Sequence, residues 1–137
     1  DSFDVVFSSN VLENIEDLGN IMSELKRVTQ PGGIGIHLMP SPSWRLYTTI
    51  TDLISVWHFK KKHGAHASNV FTETFIFRKS WWVKSFQMNG FSITLTATNS
   101  LFYTGNSLMG PRISLSSRSF LSKILGASCN VFVVQAA

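Results

Sequence analysis

Apolar and polar positions change rhythm in blocks along the 137 residues, and each block predicts an element. "VVF" at 5–7 is a short unbroken apolar run, the pattern of a parallel strand covered on both faces. Residues 17–29 switch to helical spacing, with Leu18, Ile21, Met22, Leu25 and Val28 on one stripe. Asp17 is a candidate N-cap, Glu16 and Asp17 suit the positive helix start, and Lys26 and Arg27 suit its end. Pro31 and Gly32-Gly33 then turn the chain. "GIGIHLM" at 33–39 predicts a second buried strand, ended by Pro40 and Pro42. Strand, helix and strand joined by tight turns make a βαβ unit, with parallel strands and a right-handed crossover.

Farther on, Leu46, Ile50, Leu53, Ile54 and Trp57 predict one apolar face of a helix over 43–59, followed by a polar loop at 60–69. "VFTETFIF" at 70–77 reads either as a strand or as an extended loop packing aromatics. Ser80 is a candidate cap for a short helix with Trp82 and Phe86 one turn apart. That helix should stop at Asn89-Gly90, with Phe91 folding back on Phe86. "FSITLTAT" at 91–98 alternates with period two, and "NVFVVQA" at 130–136 predicts a further strand. A loop and a helix from about 118 to 125 lie between them.

Composition narrows the class. With 44% hydrophobic and 15% charged residues the chain is globular and sized for one domain. It contains neither an apolar run long enough for a transmembrane helix nor a signal-peptide pattern. One cysteine, Cys129, excludes an internal disulfide framework and suits the cytoplasm, which is the expected location; an inert buried thiol is the reading for it. The net charge of +4 is unevenly spread: residues 55–137 hold one acid, Glu73, against nine bases. Only Lys60-Lys61-Lys62 cluster, and no nucleic-acid reading motif is present, so a solvated basic surface is expected and no nucleic-acid partner. His58, His63 and His66 lack metal-ligand spacing and carboxylate neighbours, so no metal is expected.

The order of motifs then becomes informative. Phe3-Asp4-Val5-Val6, Leu12-Glu13-Asn14, Glu24-Leu25-Lys26-Arg27-Val28 and Pro31-Gly32-Gly33 together resemble the later half of class I S-adenosylmethionine-dependent methyltransferases of the small-molecule type. The resemblance is clear over 3–40 and looser beyond. It implies an α/β fold, a Rossmann-like open sheet from the family's fourth strand onward. Residues 3–40 would be its strand–helix–strand core, and 41–137 its substrate-side helices, lid and last strands. It also implies S-adenosylmethionine as cofactor and methyl transfer to a small molecule. Two departures stand out. Asn14 replaces a frequent His, and the glycine-rich cofactor loop and ribose-binding acid belong upstream of this sequence. Gly33-Ile34-Gly35 opens a strand and does not replace that loop. These 137 residues alone are therefore expected to bind the cofactor poorly and to be inactive. A catalytically degenerate binding or assembly domain is the alternative.

Ligands of open α/β sheets bind beyond the carboxyl ends of the strands. That rule places Ser8, Ser9 and Asn10 after one strand and His37 to Pro42 after the other at the reaction edge. Ser8, Ser9 and Asn10, with Glu13 nearby, are the cofactor-side candidates, against a turn that satisfies its own backbone and a solvated acid at the helix start. His37 is the candidate general base, because imidazole titrates near neutrality; a packed core histidine is the competing reading. Trp44, Arg45 and Tyr103 are candidates for the substrate pocket. The aromatics from Phe71 to Phe86 favour a substrate with an apolar body or, equally, a packed lid. The oligomeric state is left open.

Overall fold

The computed structural model describes residues 2–55, 65–66, 69–105 and 112–136. A four-stranded mixed sheet runs in the order β1-β2-β4-β3, from Phe3–Ser9, Thr29–Pro40, Cys129–Ala136 and Phe91–Thr98 respectively. β1 and β2 are parallel, as expected, with α1 (Leu18–Val28) crossing between them. β4 inserts antiparallel between β2 and β3. Asp17 does cap α1: its carboxylate accepts the Asn20 backbone N–H at 2.9 Å.

Register separates the two faces of the sheet. One row across all four strands is Ser8, His37, Phe132 and Thr96; the next is Phe7, Ile36, Val133 and Leu95. The His37 face carries the core, where Met22 of α1 and Trp82 and Phe86 of α4 (Lys79–Met88) pack on Met39, Phe132 and Val134. Gly35 makes room here, since a Cβ would stand 2.5 Å from His37 Nε2. The Phe7 face is different. Phe3, Val5, Phe7 and Leu95 are each more than half exposed. The expected doubly covered first strand is thus corrected: among the described residues β1 is an edge strand paired with β2, and one of its faces is bare.

The helices contain the larger surprises. Residues 70–76 are neither strand nor loop but α3 (Val70–Ile76), begun by Asn69, whose side chain accepts the Thr72 N–H at 3.0 Å. Its buried positions are Glu73, Ile76 and Phe77, a helical spacing hidden because the first of them is charged. α2 (Pro42–Ser55) is inverted: Leu46, Ile50, Leu53 and Ile54 face solvent, while Trp44, Arg45, Thr48 and Asp52 are buried. Trp57 and the 60–64 loop lie outside the described residues. Ser80 is not the cap of α4; Arg78 occupies that position without a side-chain cap bond. The stop is as expected, with Gly90 at φ +76° and the rings of Phe86 and Phe91 6.0 Å apart edge-on. α5 (Leu115–Leu125) starts earlier than expected because Ser114 caps it, accepting the Ser117 N–H at 3.2 Å.

Arg45 explains the inversion. Its Nε meets a Glu73 carboxylate oxygen at 2.6 Å, with both side chains no more than 2% exposed. Removing one member of such a pair leaves a buried charge uncompensated, a loss of about 3–5 kcal/mol. Glu73→Leu should therefore cost about that much in chemical denaturation, and the double variant Arg45→Met, Glu73→Leu should recover most of it.

Candidate functional site

The carboxyl ends of β1 and β2 meet the start of β4 and the loop after β3 at one edge of the sheet. A cavity of about 370 Å³ opens there, lined by Asn10, Pro40, Trp44, Tyr103, Thr104, Gly105 and Cys129. Short-range chemistry holds the rim. Ser41 caps α2, its Oγ accepting the Trp44 N–H at 3.1 Å and donating to the Ala127 carbonyl at 2.5 Å. Ser128 Oγ accepts the Tyr103 N–H at 2.6 Å and donates to the Tyr103 carbonyl at 2.8 Å. Thr48 Oγ1 accepts the Gly105 N–H at 2.8 Å, tying the loop to α2. The 99–105 loop is thus tied to α2 as well as to the start of β4 and to α5, where the Phe102 N–H donates to the Arg118 carbonyl at 3.1 Å.

The candidates from sequence divide. Asn10, Trp44 and Tyr103 line the cavity. Asn10 sits at φ 53°, a left-handed turn that Asn tolerates, and its N–H donates to the Leu38 carbonyl at 2.9 Å. Asn14, which departs from the resemblance, donates to the Asn10 carbonyl at 3.2 Å and so braces that turn. Ser9 is exposed on the bare side of β1. Ser8 does not reach the cavity, because its hydroxyl shares a 2.8 Å hydrogen bond with His37 Nδ1 on the helix-covered face.

His37 is corrected as a general base. It is 1% exposed and stacks on Phe86 at 5.4 Å, in mid-strand. Burial pulls its pKa down to about 4, so the ring is neutral near pH 7 and has no access to a substrate. Arg45 is corrected as an anion-binding wall, since its guanidinium is committed to Glu73 inside the α2–α3 contact. Pro40 falls within the 37–42 stretch expected at this edge, whereas sequence reasoning did not name Thr104 and Gly105 as lining residues. It placed Cys129 as a buried thiol, and burial indeed raises its pKa, although the residue also reaches the cavity. The signal for the missed group was topological: antiparallel insertion of β4 brings its first residue to the carboxyl ends of β1 and β2.

Glu13 is the unusual group. It lies on a 3-10 turn (Leu12–Asn14) just after β1, is 1% exposed, and neither carboxyl oxygen has a hydrogen-bond partner among the described residues. Burial lifts its pKa to about 7. Burial is the main cause of the raised Cys129 pKa, and the Glu13 charge adds to it, so the two groups lie within electrostatic reach although Glu13 itself does not line the cavity. A buried carboxyl with nothing to bind is costly, and such cost concentrates at functional sites. Among the described residues, no group of His, Cys, Asp or Glu is arranged to hold a metal ion.

With this geometry in view, comparison with known proteins is informative. Residues 1–36 match the family model for a methyltransferase domain. The fold matches an S-adenosylmethionine-dependent methyltransferase from Mesorhizobium loti (TM-score 0.54, 14% identity, 98% of this chain and 62% of that one). It also matches a methyltransferase of the same cofactor class from Methanosarcina mazei (TM-score 0.56, 15% identity, 98% and 59%). A third match is the [4+2]-cyclase SpnF (TM-score 0.52, 13% identity, 98% and 50%). No curated protein matches the chain. The chain has the class I methyltransferase fold, with the methyltransferase-domain match falling on its first strand–helix–strand unit. It spans about 60% of the length of the first two structures.

The two buried titratable groups have opposite signatures. Glu13, with its folded pKa raised from 4.5 to about 7, contributes stability fully below pH 4.5 and loses it as pH rises through about 7. His37, depressed from 6.5 to about 4, contributes above pH 6.5 and loses that as pH falls through about 4. Each effect is on the order of 3 kcal/mol. Glu13→Gln should therefore be more stable than the parent at pH 8 and level with it near pH 4. His37→Gln should remove the loss on the acid side. Urea unfolding across that pH range measures both slopes.

Proposed function

We propose that this chain is the acceptor-side part of an enzyme transferring a methyl group from S-adenosylmethionine to a small molecule. The observation that carries the reading is a buried Glu13 carboxyl, unpartnered among the described residues, on the turn just past β1, at the sheet edge where a cavity opens at the carboxyl ends of two parallel strands. The cofactor carries a sulfonium and an ammonium cation, and a desolvated carboxylate is their complement. Glu13 and Asn10, with Ser9 at the strand tip, are the residues that would hold it. Ser8 contributes through His37 and the sheet.

When bound, the cofactor supplies an activated methyl carbon, open to in-line attack by a lone pair on the acceptor while the carbon–sulfur bond breaks. The chain's own residues position and enclose. Trp44 and Tyr103 wall the acceptor side with apolar surface, which suits a substrate with an apolar body. Burial pushes the Tyr103 phenol well above its ordinary pKa, aided by its 2.8 Å contact with Cys129, so it stays protonated as a hydrogen-bonding wall. The SpnF likeness is a reminder that a fold hosts more than one chemistry, so the reading rests on the site.

The expected behaviour is weak cofactor binding by the 137 residues alone and tight binding once further chain pairs with the free edge of β1. Calorimetry with S-adenosylmethionine tests both parts. Micromolar binding by the present chain would overturn the incompleteness; no binding by a longer chain would overturn the cofactor reading. In the longer chain, Glu13→Gln should weaken binding by roughly tenfold or more while stabilising the fold above pH 7. Unchanged binding would remove Glu13 from the site.

A further inference from the structure

The inverted helix α2 leaves an apolar surface that the methyl-transfer reading does not use. Its outward stripe is Leu46, Ile50, Leu53 and Ile54, from 41% to 71% exposed. Alongside it, α3 projects Phe71, 88% exposed, and Phe75, 54% exposed. A groove of about 380 Å³ runs between the two helices, lined by Leu46, Thr49, Phe71, Phe75 and Arg78 among others. Phe75 also borders a second hollow of about 610 Å³ with Trp81, Lys84 and Met88, the last 76% exposed. The apolar surface therefore continues from α2 across α3 to α4. A patch of this composition on a monomer marks an interaction site.

Charge selects the occupant. The carboxylates on these three helices are Asp52 and Glu73, and both are buried, at 6% and 0% exposure. The exposed charges are cationic: Arg78, with its guanidinium 5.2 Å from the centre of the Phe75 ring, and Lys84 at the rim of the second hollow. Large side chains that protrude and a rim of one positive sign are the two parts of an interfacial membrane site. The apolar groups enter the acyl boundary while the cations meet anionic headgroups. Arg78 stacked on Phe75 and the long Lys84 side chain can each place a charge at headgroup level with the stem lying on apolar surface. No described helix is long and apolar enough to cross a membrane, so the contact is peripheral.

We propose that the α2–α3–α4 face, centred on Leu46, Phe71, Phe75 and Arg78, docks this protein onto the surface of an anionic phospholipid bilayer. The proposal is independent of the methyl-transfer reading, since none of these residues lines the cavity at the sheet edge. The test is co-sedimentation of the purified chain with vesicles of phosphatidylcholine alone and of phosphatidylcholine with phosphatidylglycerol. Partitioning should require the anionic lipid and fall as salt rises. Phe71→Ser should reduce it by about tenfold or more. Arg78→Gln should reduce it roughly fivefold. Both positions are exposed, so far-ultraviolet circular dichroism and thermal unfolding should match the parent and separate lost binding from lost fold. The proposal is overturned by failure to partition, by equal partitioning without anionic lipid, by indifference to Phe71→Ser, or by a dimer in solution that competes with the vesicles.

Discussion

Arg45 and Glu73 meet at 2.6 Å with almost no exposure, on two helices whose sequences offer more obvious apolar faces. Desolvating two charges costs several kcal/mol each, and their mutual approach helps to offset it. Once made, the pair sets the rotation of α2 about its own axis. Trp44, one residue before Arg45, then lies in the cavity wall, and Thr48, about one turn on, receives the Gly105 N–H. The same rotation turns Leu46, Ile50, Leu53 and Ile54 outward. Cavity and exposed stripe are two consequences of one setting.

The sheet shows a comparable division of labour. Its helix-covered face absorbs polar groups that the strand pattern does not advertise, with Ser8 and His37 hydrogen-bonded to each other and the ring stacked on Phe86. A neutral imidazole serves there as a packing group with one satisfied nitrogen, and Gly35 supplies the space. Glu13, a few residues past the same strand, has no such partner. Two buried titratable groups on adjoining parts of the fold therefore play opposite roles. One is matched by its surroundings and belongs to the core; the other is unmatched and belongs to the site.

How much of this was legible follows from what each signal depends on. The βαβ unit was readable because its cues are local: an apolar run, a 3.6-residue stripe with Asp17 as cap, and a Pro-Gly-Gly turn. The Gly90 stop and the last two strands were readable for the same reason. α3 was not, since its helical period passes through Glu73, and a charged residue is scored as a surface position until its partner is known. That partner, Arg45, lies on another helix 28 residues earlier, the kind of information periodicity does not carry. The apolar face of α2 was misassigned by the same omission. The cavity was half visible: the strand tips, Trp44 and Tyr103 from the sequence, but Cys129 in its wall only from the antiparallel insertion of β4.

The parts that local pattern misjudged are also those where structure and simple stability disagree. A helix with its aliphatic stripe in water, an edge strand with Phe3, Val5 and Phe7 more than half exposed, and a carboxyl buried without a partner each raise the free energy of the isolated chain. Sequences tolerate local conflict where something else is bound. The three conflicts point in three chemical directions: a bare strand edge toward more sheet, a cationic apolar helix face toward anionic lipid, and an orphaned carboxyl toward a cation. Each is separable by its own variable, namely chain length, ionic strength and pH. The third lies just past the carboxyl end of β1, where open α/β sheets bind their ligands, which is why the chemistry is proposed there and the association elsewhere.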